Sequence, residues 1–106
     1  IDKNPNSTQA LTNALYKALQ WLKTANPEDI AATVPPEYLL GDKPLYLLAA
    51  GKSKPAYSIT GIIDPAGMKS TADMLTKFDD EMKDAKFDIA NTFVDRFAKR
   101  AAEVVR

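Results

Sequence analysis

Apolar residues recur at helical spacing along residues 4–25, the first and longest patterned stretch of the chain. Leu11, Ala14, Leu15, Ala18, Leu22 and Ala25 form one stripe, and Leu19 and Trp21 widen it on either side. The pattern predicts a long amphipathic helix. Asn4 stands in the capping position, and Pro5 occupies the first turn, where a missing N–H costs nothing. Such a helix draws its stability mostly from covering its apolar face. Later helices of the same chain are therefore expected to pack on that stripe.

A capping residue followed by proline recurs as punctuation: Asn4-Pro5, Asn26-Pro27, Asp64-Pro65 and, more loosely, Asp42-Lys43-Pro44. Proline disfavours helix in the residue before it and suits the first turn of the next, so each pair marks a boundary. After Pro27, Glu28 and Asp29 put negative charge at a helix start, where the helix dipole favours it, and Ile30, Ala31 and Val34 give a small apolar face. Pro35-Pro36 stops that helix. One turn is expected over 37–40, ending at Gly41, and Asp42 opens a third helix over 44–50 that closes at Gly51. Residues 52–64 break the pattern. Tyr57, Ile59 and Ile63 favour strand, but Pro55 and Gly61 interrupt them, which predicts an irregular loop with at most a short extended piece.

Helix resumes over 65–78, with Met68, Ala72, Leu75 and Phe78 on one face and Lys69 and Asp73 as an i,i+4 pair. The charged residues 79–86 read as a fraying end or a turn. A last helix is expected over 89–105, with Phe93, Phe97, Ala101 and Val104 as its stripe and Val94, Ala98 and Val105 beside it. The expected architecture is all-α: one helical domain over residues 1–106, with about five helices.

Composition narrows the chemistry. Fourteen basic residues balance fourteen acidic ones, so no net field draws nucleic acid or an anionic membrane. Cysteine and histidine are both absent, which removes disulfides, thiolate nucleophiles, histidine bases and the usual zinc sites. The longest apolar run, 45–50, falls far short of the roughly 20 residues of a membrane span.

Each local cluster has a plainer explanation than catalysis. Gly51-Lys52-Ser53 resembles the tail of a phosphate-binding loop, but the glycine required five positions earlier is Tyr46, and Pro55 blocks the following helix. A helix-ending glycine is the preferred reading. Asp79, Asp80, Glu81, Asp84 and Asp88 invite calcium, yet the sixth position of such a loop, a glycine by rule, is Asp84. A solvated turn is preferred. Glu28 and Asp29 are adjacent on a helix and do not face each other, so they form no acid–base pair. Trp21, Tyr38, Tyr46 and Tyr57 could stack on a ligand; packing is preferred for them, with Tyr57 the least explained because it stands on a loop between Lys52, Lys54 and Ser58. Lys99, Arg100 and Arg106 gather toward the end of the last helix, where cations complement the dipole. No catalytic, ligand-binding or metal residue is assigned, and no cofactor is implied.

Taken together, NPNSTQALTNALYKALQWL, NPEDIAATVPPEY and GDKPLYLLAA resemble the C-terminal part of the nitrate/sulfonate/taurine-type solute-binding proteins of ABC transporters. The likeness continues through Gly61, Gly67 and the helix over 65–78. It runs on into FDIANTFVDRFAKRAAE, where Phe87-Asp88 and Phe93-Val94 stand at the places of the family's Ile/Val-Asp pair and Phe-Val step. The resemblance implies a longer periplasmic parent whose leader is removed. Two α/β lobes would close on a small solute, nitrate- or sulfonate-like, and deliver it to a membrane permease. This chain would be the helical C-terminal scaffold of that two-lobed fold, without enzymatic activity, and most ligand contacts would come from the upstream part. Stripes such as Leu11/Leu15/Leu22 and Phe93/Phe97/Val104 would then cover strands absent here, so the isolated chain is expected to self-associate. The alternative is a free-standing helical module that binds a partner helix in an amphipathic groove.

Overall fold

Local capping chemistry sets most of the element starts in the computed structural model, which describes residues 1–39 and 41–105. Helix α1 spans Pro5–Thr24, α2 Pro27–Ala32, α3 Lys43–Ser53, α4 Pro65–Phe78 and α5 Arg96–Val104. Three short 3₁₀ turns, Pro36–Leu39, Lys54–Ala56 and Ile89–Asn91, complete an all-α chain with no strand among the described residues. Asn26 and Asp29 close a reciprocal capping box at α2: Asp29 N–H donates to the Asn26 side chain at 2.8 Å, and Asn26 N–H donates to the Asp29 carboxylate at 3.0 Å. Asp42 accepts from Leu45 N–H at 3.0 Å to start α3, and Asp64 accepts from Ala66 N–H at 3.0 Å to start α4. Asn4 holds the capping position of α1, but its side chain makes no capping bond; its carbonyl accepts from the Thr8 hydroxyl instead. The Lys69–Asp73 pair forms at 2.7 Å.

Several sequence expectations need correction. Gly51 does not close the third helix; it lies inside α3, which runs on to Ser53 and passes into the turn Lys54–Ala56. The terminator is Pro55, whose ring excludes a continuing α-turn. The irregular segment expected over 52–64 therefore begins only at Tyr57. The last helix is also shorter than 89–105. Asp88 accepts from Ala90 N–H at 3.1 Å, and the Thr92 hydroxyl donates to the Ile89 carbonyl, so local side-chain bonds compete with helix there and hold a 3₁₀ turn. The turn expected over 37–40 is observed as Pro36–Leu39, and Leu40 lies outside the described residues.

Packing departs furthest from expectation on α1. Its principal neighbour is α5, and the two helices begin near each other: Gln9 donates to the Phe97 carbonyl at 2.8 Å, and Arg96 pairs with Asp2 at 2.8 Å. Half-buried positions of α1 include Gln9, Thr12, Asn13, Tyr16 and Gln20 on one face, with Thr8 beside them and Leu19 and Leu22 near the helix end. At 100° per residue this mixed face lies roughly 140° around the helix from the leucine stripe. Leu11 and Leu15 are 65% and 61% exposed, so no later helix covers this part of the stripe; only its end is covered, with Leu22 half-buried near Ile30 and Tyr46 and Ala25 buried.

The remaining contacts form two small clusters. Beside the end of α1, α2 packs on α3, and an added Cβ at Gly51 would meet Pro27 Cγ at 3.5 Å. Elsewhere α4 rests on Ile89–Asn91, burying Ala72 but leaving Phe78 74% exposed. From the last helix's stripe, Phe97 and Ala101 are buried, while Val104 is not. Among the described residues, the buried hydrophobic ones are Ala25, Ala31, Ala72, Phe97 and Ala101, and no large side chain is fully buried. A radius of gyration of 17.5 Å compares with about 13 Å for a compact chain of this length. The accessible surface of 8274 Å² exceeds the compact expectation by about 2,400 Å².

Candidate docking surface

The clusters read as chemical candidates are dispersed by the fold. Lys52 and Ser53 lie in the last turn of α3, and Lys54 N–H donates to the Ala50 carbonyl, so this segment ends a helix instead of presenting free amides to a phosphate. The acidic run is tied down piecemeal. Asp79 accepts from Glu81 N–H at 2.9 Å, Asp80 pairs with Lys83, and Asp88 accepts from both Ala90 N–H and the Asn91 amide. Among the described residues, no three His, Cys, Asp or Glu side chains converge as metal ligands would. Glu28 reaches Lys43 at 3.0 Å, and Asp29 serves the capping box.

Lys99 and Arg100 lie at the middle of α5, not in its last turn, and serve neighbouring carboxylates in place of the dipole. Lys99 pairs with Asp95 at 2.7 Å and Arg100 with Glu103 at 3.1 Å; Arg106 lies outside the described residues. The hydrogen bond from Lys99 holds the Asp95 carboxyl below its ordinary value. Arg96 stacks its guanidinium 4.7 Å from the centre of the Phe97 ring.

Apolar grooves are what the fold does assemble. The end of α1 and the segment after Lys54–Ala56 enclose about 240 Å³ among Leu19, Leu22, Pro55, Tyr57 and Ile59, with Lys23 and Lys54 also lining it. A neighbouring hollow of about 210 Å³ lies among Leu22, Ile30, Tyr46, Ala50 and Tyr57. Leu22 and Tyr57 belong to both. Gln20 fixes the loop by donating to the Ile59 carbonyl at 2.9 Å. Gly61 turns it with φ +69°, a conformation L side chains rarely adopt, and a Cβ there would meet Leu19 at 3.5 Å.

The aromatic candidates separate accordingly. Tyr46 is half-buried between the helices, whereas Trp21 and Tyr38 are exposed. Tyr57 is 52% exposed, so the packing preferred for it from sequence is incomplete: it lines both hollows and also reaches solvent. Sequence reasoning missed Leu19, Pro55 and Ile59 as groove walls, because their convergence depends on how the 57–64 segment folds back on α1. The surface offers mainly apolar area, with Lys23, Lys54 and Tyr57 among its lining. No family model matches the chain, and neither a curated protein nor a solved structure matches it.

Proposed function

We propose that this chain is the C-terminal helical scaffold of a periplasmic solute-binding protein that captures a small anion, nitrate- or sulfonate-like, for an ABC importer. The resemblance in the capped-helix segments motivates the reading. The observation that carries it is the outward leucine stripe of α1: Leu11 and Leu15 face solvent while the more polar face of the same helix is packed on α5. A helix with an apolar side and an independently packed polar side suits a position between two layers of a larger fold. In such a parent, strands of one lobe would lie on the stripe, and the helices would brace that lobe as it closes on the solute. The role is binding and support, not catalysis, and the permease is the expected partner.

The experiment is the intact mass of the protein expressed from its complete gene, followed by thermal unfolding with nitrate, taurine or an alkanesulfonate. A product several-fold heavier than 11.6 kDa that gains stability with one of these anions supports the reading. A gene product no larger than this chain would end it.

The Tyr57 groove favours a second reading, a helical module that receives an amphipathic partner helix. A product of this size that binds no small anion would put that reading first.

A further inference from the structure

We propose that the groove beside Tyr57 receives the end of α4 from a second copy of this chain. The proposal rests on the reading of that groove as a receptor for an amphipathic helix, and it names the helix. Leu22 and Tyr57 line both hollows, so the two are immediate neighbours. Adjacent hollows of about 240 and 210 Å³ suit two large apolar anchors one helical turn apart, the way a groove reads an inserted helix. Met74 and Phe78 have that spacing on α4 and are 55% and 74% exposed. Among the described residues, no large hydrophobic side chain is more exposed than Phe78.

Charge favours this occupant. The chain is neutral as a whole, but its charges are segregated. Residues 5–25 and 43–63 supply every lining residue of the two hollows except Ile30. These stretches carry Lys17, Lys23, Lys43, Lys52 and Lys54 and no acidic residue. Lys43 is engaged by Glu28 and Lys54 by the Ala25 carbonyl, whereas Lys17, Lys23 and Lys52 have no ion-pair partner among the described residues. Residues 73–84 carry five carboxylates against two lysines, and Asp79 and Asp80 share one surface with Met74 and Phe78. An acidic helix end with two exposed anchors therefore meets a basic rim around two apolar hollows. Within one copy α4 rests on Ile89–Asn91, which leaves both anchors exposed. Groove and anchors are different surfaces, so the contact is heterologous: each copy can give one helix end and accept another. The leucine stripe of α1 takes no part in it.

The test is sedimentation velocity of the 106-residue chain across micromolar concentrations, with helicity followed by circular dichroism. The sedimentation coefficient is expected to rise with concentration and to fall back as salt screens the exposed charges. Phe78→Lys removes one anchor and reverses the charge around it; Ile59→Glu puts a carboxylate in the groove wall, at a side chain 58% exposed. Each alone is expected to weaken self-association by about tenfold or more at unchanged helicity. Mixed in equal amounts, the two variants retain one groove and one helix end between them, so they form a complex of two chains and stop there. Leu15→Glu, on the α1 stripe, leaves association unchanged. A wild-type monomer throughout this range overturns the proposal, as does association that ignores Phe78→Lys, is abolished by Leu15→Glu, or is not restored by mixing. The receptor reading is tested apart, by titrating the Phe78→Lys chain with a designed acidic helical peptide carrying two leucines one turn apart. If the wild type does not self-associate but this peptide binds, only the second-copy assignment falls; if neither binds, the receptor reading falls with it.

Discussion

The ammonium of Lys54 donates a hydrogen bond to the backbone carbonyl of Ala25, 29 residues earlier in the chain. The contact joins the end of α1 to the turn Lys54–Ala56 that follows α3. It is favourable twice over, because the carbonyls at a helix C-terminus lack helical partners and carry partial negative charge. Ala25 is buried, so its carbonyl has little access to water.

Lys54→Met keeps most of the aliphatic stem and removes the donor. We expect a loss of about 1–3 kcal/mol, the cost of leaving a buried acceptor unpaired. Urea unfolding at fixed protein concentration measures it as a lower midpoint with unchanged slope. An unchanged midpoint would mean that solvent serves Ala25 equally well.

Two glycines give opposite predictions. Gly51 lies within α3, and an added methyl there meets Pro27 at ordinary van der Waals distance. Gly51→Ala is expected to stabilise by roughly 0.5–1 kcal/mol through helix propensity and lost unfolded-state freedom. Gly61 holds φ +69°, so Gly61→Ala is expected to destabilise by about 1–2 kcal/mol. Thermal unfolding of both variants decides the matter. If Gly51 ended the helix, as its place after an apolar run predicts, both substitutions would destabilise.

That comparison shows which part of the fold is legible in sequence. Proline and the cap before it act within three residues, so the starts of α2 at Pro27 and α4 at Pro65 follow from local steric and hydrogen-bonding rules. Helix ends are less legible: Gly51 permits a stop without requiring one, whereas Pro55 imposes it. Hydrophobic periodicity correctly marks Leu11 and Leu15 as one face of α1. It does not report which face finds a partner in this chain, and Gln9, Asn13 and Tyr16 face inward here while the leucines do not. The groove around Tyr57 was legible only as an unexplained aromatic. Its walls come from α1 and the 57–64 segment, and the bond that fixes them, from Gln20 to the Ile59 carbonyl, spans 39 residues and leaves no periodic signature.

Acid should act on α5 through Asp95. Lys99, one turn along, hydrogen-bonds its carboxylate at 2.7 Å and holds its pKa below the ordinary value of 3.8. A carboxyl depressed in the folded state contributes stability above its unfolded pKa, and that contribution disappears as pH falls through the folded value. The pair is therefore intact at neutral pH, and its contribution is lost only below about pH 4. Because both side chains reach solvent, salt should weaken the effect. Carboxyl-carbon NMR of Asp95 measures the midpoint directly, and Lys99→Gln is expected to move it up toward the ordinary aspartate value. A midpoint that stays in place after this substitution would assign the depression to another cause, leaving the backbone hydrogen bond at Asp95 as the remaining source.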